Sequence, residues 1–133
     1  MSHSMLNPSD LHDPSAYGYS HTASVSAGAG LVFVAGQYGS RPDGSVVSDG
    51  FAEQVQQAFR NVGVALAAHG LDLSHVVQLR TYVVGLGFEE LGTVGKIVGS
   101  HWGANPPTQT VLGVAGLATP EIRFEVEAVA ARP

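Results

Sequence analysis

The residues able to do chemistry in this chain are concentrated in its last third. Pro106 and Pro107 are followed by three uncharged polar residues, Thr108, Gln109 and Thr110, and Phe124-Glu125-Val126-Glu127-Ala128-Val129-Ala130 follows near the end of the sequence. Glu125 and Glu127 are two apart, the spacing that puts both carboxylates on one face of a strand. A carboxylate at Glu127 facing a cleft is able to orient or deprotonate a water, and Gln109 offers neutral hydrogen bonds beside it. Tyr19 and Tyr82 are candidates for the floor of a small apolar pocket. Each of these residues also has a plain structural role. Thr108 to Thr110 read as an ordinary strand edge, the glutamates as a solvated face paired with Arg123, and the tyrosines as packing. On residue types alone both readings stand.

Other sources of chemistry are excluded by spacing. Gly28-Ala29-Gly30 lacks the third glycine of a dinucleotide loop and sits between two strands, where it reads as a hairpin turn. Gly95-Lys96 is followed by Ile97, and Glu90 stands where a phosphate-binding loop needs its first glycine. No Gly-x-Ser-x-Gly elbow occurs. The six histidines, at 3, 12, 21, 69, 75 and 101, form no i, i+3 or i+4 pair, so no metal site is expected. With no cysteine, disulfides, thiolate metal sites and cysteine nucleophiles are excluded.

The elements that must position the candidates follow from periodicity. Residues 1–18, polar and carrying Pro8 and Pro14, read as a flexible N-terminal segment without an element of its own; a start at Met1 and a native start at Met5 both stand. A short strand begins at His21, and Leu31-Val32-Phe33-Val34-Ala35 is apolar on both faces. Pro42-Asp43-Gly44 marks a turn in the loop from Gly39 to Gly50. Phe51, Val55, Phe59, Val62 and Leu66 recur at helical steps, with Asp49 as N-cap and Gly70 as stop. Val76 to Val84 alternates as a strand, with Gln78, Arg80 and Tyr82 sharing a face. A second helix from Phe88 to His101 rests on Phe88, Leu91, Val94, Val98 and Trp102, and its Gly92, Gly95 and Gly99 point to close packing or to irregularity. Two final strands turn at Thr119-Pro120. The order is ββαβαββ, an α+β mixed sheet with two helices on one face. A sheet apolar on both faces but covered on one must be closed by further copies of the chain.

Composition bounds the partners. The chain has 133 residues, 44% of them apolar and 13% charged, which suits a single packed domain. Six basic against 11 acidic side chains give a net charge of −5, so no nucleic-acid groove is expected. No segment approaches the roughly 18 consecutive apolar residues of a membrane span, no signal peptide is evident, and a cytoplasmic location is the default expectation.

Taken in order, these pieces resemble the Rid superfamily, the reactive-intermediate imine deaminases also called YjgF-like or L-PSP proteins. The resemblance runs over residues 19–133 as a single domain. It is carried by Leu31 to Gln37, by Gln54 and Asn61 on the first helix, by His69-Gly70-Leu71-Asp72-Leu73 before Val76-Val77, by Pro107, and by Phe124 to Ala130. It implies a chorismate-mutase-like fold and a homotrimer with a central barrel. It further implies clefts between subunits lined by the fifth strand of one chain and glycine-turn residues of its neighbour. Family deaminases hydrolyse 2-imino acids to keto acids and ammonia without metal or organic cofactor, and an arginine in Pro-x-Arg-Ser clamps the substrate carboxylate.

Counting back from Leu117, that arginine position holds Gln109, and an asparagine usual in the second helix falls on Gly92. A glutamine cannot make the bidentate, charge-assisted pair that arginine makes with a carboxylate. By the same resemblance Glu127 is the family glutamate, Gly36 the cleft glycine and Tyr19 the aromatic residue, with Thr108 and Thr110 flanking Gln109. Two functions are therefore expected in competition. One is hydrolysis of an imine, enamine or related small metabolite, with weak or absent activity on 2-imino acids. The other is a non-catalytic trimer that binds a metabolite or a partner in the same cleft.

Overall fold

The structure is a computed structural model and describes residues 2–133. Its elements, in order, are β1 (His3–Leu6), β2 (Thr22–Val25), β3 (Gly30–Tyr38), α1 (Phe51–Ala67), β4 (Val76–Val84), α2 (Phe88–Trp102), β5 (Thr108–Val114) and β6 (Phe124–Arg132). Strands β3-β6-β4-β5 form one mixed sheet, with β6 antiparallel to both neighbours and β4 parallel to β5. The parallel pair is joined through α2, as a crossover of this kind requires. This is the expected α+β arrangement, two helices on one face of a mixed sheet, with one further strand at its start.

The core lies between the sheet and the helices. From α1 come Val55, Phe59, Val62 and Leu66, from α2 Val94 and Val98, and from the sheet Leu79, Val83, Phe124 and Val126, all essentially solvent-free. Strand alternation decides the rest. In β6, Phe124, Val126, Ala128 and Ala130 turn inward while Glu125, Glu127 and Val129 turn to the other face. That face also carries Leu31, Phe33 and Leu112, which are 49%, 73% and 47% exposed. Gln54 is the one fully buried amide of α1, and it staples the loops. Its Nε2 donates to the carbonyls of Ser48 and Glu121, at 3.0 and 2.9 Å, and its Oε1 accepts from the Arg123 amide at 2.9 Å.

Four details differ from the sequence reading. Residues 3–6 form β1, which pairs antiparallel with β2; at four residues, with alternate half-buried and exposed positions, it has no apolar face to announce it. Gly28-Ala29-Gly30 does turn the chain, with Gly28 at φ 84°, but it makes no hairpin, because β2 pairs with β1 while β3 pairs with β6. The N-cap of α1 is Gly50 rather than Asp49, and the Gly50 amide donates to Ser48 Oγ. Finally α2 is a regular helix, and of its glycines Gly95 alone meets another segment closely.

Candidate functional site

The contact at Gly95 organises a large cavity beside α2. Gly18 adopts φ 76°, a left-handed conformation that glycine favours, and a Cβ on it would stand 3.1 Å from Gly95 Cα and O. This close approach lays residues 12–19 alongside α2 and across β5. Between them is a cavity of about 770 Å³ lined by Tyr19, Gln109, Gly92, Lys96, Leu91 and Val111 among others. Gly92 has nothing within 4 Å of where a Cβ would be, so the missing side chain leaves open space in the wall.

The α2 wall corrects the expected helix core. Phe88 and Leu91 do not join Val94 and Val98 inside; they are 96% and 40% exposed, and Ile97 takes the buried place. Phe88, Leu91, Gly92, Gly95 and Lys96 all line the cavity, and their steps of three and four residues put them on one helical stripe.

Gln109 reaches this cavity from β5. Its Oε1 accepts from Thr81 Oγ1 at 2.7 Å, and its Nε2 donates to the Gly18 carbonyl at 3.2 Å, tying the edge strand to β4 and to the Gly18 turn. The Tyr19 hydroxyl is hydrogen-bonded to His12 Nε2, with the direction set by the histidine tautomer. His21 Nε2 in turn lies 2.8 Å from the His12 carbonyl, and the two imidazoles meet edge to face at 4.8 Å. Ser20 anchors the segment, its amide and hydroxyl donating to the carbonyls of Pro107 and Pro106 at 3.0 and 2.6 Å. Thr108 and Thr110 point the other way, into a groove of about 590 Å³ beside β2 that Tyr19 and Gln109 also border. Thr108 Oγ1 donates to the Val77 carbonyl at 2.9 Å.

Glu127 and Gly36 stand apart from this group. Register pairs Gln109 with Leu79, which faces the core, but Glu127 with Arg80, which faces outward. Gln109 and Glu127 therefore occupy opposite faces of the sheet. On the outer face Thr110, Arg80 and Glu127 form one row across three strands, and Gly36 lies in the irregularity of β3 between Val34 and Gln37. The Tyr82 hydroxyl donates to Glu127 Oε1. That bond, then burial and the glutamate's charge, raise the Tyr82 phenol above its ordinary value, against the opposing pull of Arg80. Glu125 crosses Gly36, its Oε2 standing 1.9 Å from where a Cβ on Gly36 would be. Arg123 is held elsewhere, 3.9 Å from Glu90 and over the Phe51 ring. Arg80 lines a small pocket of about 150 Å³ with Glu127 and Phe33.

The structure thus gathers Tyr19, Gly92 and Gln109 about one cavity, with Thr108 and Thr110 on the neighbouring groove, and leaves Gly36 and Glu127 on the far face. Sequence reasoning did not pick out His12 or Lys96 for the cavity. For Lys96 the signal was present, since 88, 91, 92, 95 and 96 is a helical stripe distinct from the buried one. For His12 no local signal exists; its partner is seven residues away, across an irregular segment. Among the described residues no group of three His, Asp or Glu side chains is placed to hold a metal ion, and no helix is long and apolar enough to cross a membrane.

Comparison with known proteins agrees with this fold. The Endoribonuclease L-PSP family matches residues 11–132. A 2-iminobutanoate/2-iminopropanoate deaminase of Rattus norvegicus is 36% identical over 100 residues, covering 74% of this chain and 71% of its own. The crystal structure of the Rid-family protein YyfB from Yersinia pestis, of unknown function, superposes with a TM-score of 0.90 at 31% identity and 98% coverage of both chains. TdcF of E. coli, solved with bound serine, superposes with a TM-score of 0.67 at 26% identity, covering 82% of this chain and 85% of that one. Fold, matched residues and relatives converge on one assignment: the chain belongs to the Rid (YjgF, L-PSP) family.

Proposed function

We propose that this protein is a deaminase-type hydrolase of a small imine or enamine, working as a homotrimer without a metal or organic cofactor. The observation that carries this reading is the convergence of Tyr19 and Gln109, two positions the resemblance ties to the ligand cleft, on one cavity that Gly92 also lines. Relatives named as 2-iminobutanoate/2-iminopropanoate deaminases, and serine bound to TdcF, support a ligand of that size. In the reaction, water adds to the C=N carbon, and the resulting carbinolamine expels ammonia to leave a carbonyl. Gln109 and Tyr19 hold uncharged polar atoms of the substrate. Glu127 takes the proton from water. It does so in the assembly, where the outer sheet face of a neighbouring copy brings Gly36 and Glu127 toward the cavity. The exposed Leu31, Phe33 and Leu112 support that burial of the outer face.

One observation favours the competing reading of a non-catalytic binding trimer: within a chain, Glu127 lies across the sheet from Gln109 and is already bonded to Tyr82. The two readings separate in one assay. Imines of several amino acids are generated in situ by an amino-acid oxidase and their decay is followed with semicarbazide as a trap. Acceleration of at least one imine that disappears in Glu127→Ala supports the hydrolase. Decay at the buffer rate for every imine, persisting in a folded Gln109→Arg variant, supports the binding protein.

A further inference from the structure

The stripe of α2 that faces the cavity ends in a cation. Lys96 lines the cavity together with Gln109 and Tyr19 and takes part in neither of the ion pairs among the described residues. No aspartate or glutamate lines the same cavity, so nothing on its wall competes for the ammonium. Gln109, by contrast, is largely committed to the fold. Its oxygen accepts from Thr81 and one of its N–H groups donates to the Gly18 carbonyl. A glutamine amide has two N–H donors, so a single neutral donor is left for a ligand, and that suits a carbonyl oxygen or imine nitrogen better than a carboxylate. On the same stripe of α2 as Lys96, Gly92 leaves the wall open. Phe88, Leu91 and Val111 make the rest of the lining apolar.

We propose that Lys96 is the charge-recognising residue of this cavity and that its ligand is a small organic monoanion with an apolar body. The carboxylate sits at Lys96, and an uncharged polar end sits at Gln109 and Tyr19. This rests on the reading of the cavity as the ligand site and names the ligand's class. Lys96 and Gln109 belong to different elements, α2 and β5, that line the same cavity, so the acid group and the polar end of the ligand are held on separate walls. In a 2-imino acid they are on adjacent carbons.

The test uses 4-oxopentanoate, its uncharged methyl ester and 2-oxobutanoate as probes, titrated into the intact protein while backbone amide NMR shifts are followed at Tyr19, Lys96 and Gln109. The expected result is binding of 4-oxopentanoate about five- to tenfold tighter than the ester, and tighter than 2-oxobutanoate. That preference should vanish in Lys96→Met and survive in Lys96→Arg. Lys96 is solvent-exposed, and the amide spectrum of each variant reports whether the fold is kept. If acid and ester shift these amides with equal affinity, or if Lys96→Met keeps the preference, the assignment of Lys96 is overturned while the cavity remains the ligand site. If no probe shifts them, both the assignment and the cavity reading are overturned.

Discussion

Replacing Gln109 by arginine tests the site most directly, because the structure fixes both what is lost and what is gained. The lost contact is the 2.7 Å hydrogen bond that Gln109 Oε1 accepts from Thr81 Oγ1. Thr81 is fully buried, and a guanidinium has no acceptor to offer it. Orphaning a buried hydroxyl costs about 1–3 kcal/mol, which lowers the melting temperature by about 3–12 °C in a domain of this size. The gain is a fixed cation beside the cavity able to take a carboxylate in two hydrogen bonds. A contact of that kind is worth about 2–4 kcal/mol, or roughly thirty- to a thousand-fold in rate. The native protein should therefore hydrolyse 2-iminobutanoate little faster than buffer in the semicarbazide-trap assay. Gln109→Arg should show clear hydrolysis at reduced stability, and adding Glu127→Ala should abolish the hydrolysis. Combining Gln109→Arg with Thr81→Val removes the orphaned hydroxyl and should recover most of the lost stability. Native turnover at full deaminase rates would show that Gln109 is not the determinant. A folded Gln109→Arg variant that stays inert would show that the site lacks more than its clamp.

Other consequences are independent of the ligand. Gln54→Ala strands a buried amide and two carbonyls and leaves a cavity, and should cost about 3–5 kcal/mol in urea unfolding; a loss below about 1 kcal/mol would refute the stapling role. Partial desolvation beside Phe59 and Trp102, with Arg60 adding to it, holds the largely exposed His101 imidazole below its ordinary 6.5. The unfolded chain therefore takes up this proton first, and the contribution of neutral His101 is present above pH 6.5 and lost as pH falls through the lower folded value. His101→Phe should flatten that part of the acid limb, and an NMR titration placing His101 at or above the free value would refute it. For the assembly, light scattering should give three times the 13.7 kDa chain mass, and a monomer mass at micromolar concentration would refute the trimer.

The helix α1 was legible because its seventeen residues carry one uninterrupted stripe, and Phe51, Val55, Phe59, Val62 and Leu66 all fall on the core side. The alternation of β4 and β6 was legible for the same reason, with Gln78, Arg80 and Tyr82 on one face as expected. In α2 the sequence carries two apolar stripes, and periodicity does not say which is inside. Phe88 and Leu91 were assigned to the core, yet the Gly18–Gly95 contact turns them toward the cavity. That contact depends on a left-handed glycine in an irregular segment, and no period marks such a residue. The site shows the same division. Alternation alone places Gln109 opposite Thr108 and Thr110, but which side each takes is settled by the register with β4.

That register has a consequence for how the function is built. Gln109, Tyr19 and Lys96 share the helix side of the sheet's edge strand, while Glu125 and Glu127 lie on the outer face with Gly36. The sheet separates the two groups, and within one chain no side-chain rotation carries a carboxylate through it. Each group is flanked by exposed apolar residues, Phe88 beside the cavity and Leu31 and Phe33 on the outer face. Surfaces of this kind are what a second copy covers. In the proposed trimer, recognition and hydrolysis are contributed by different chains. A dissociated chain would keep the residues that hold a ligand and lose the carboxylate that turns it over. Binding that persists on dilution while hydrolysis falls with protein concentration is the behaviour this division of labour requires, and turnover by an isolated monomer is the behaviour it forbids.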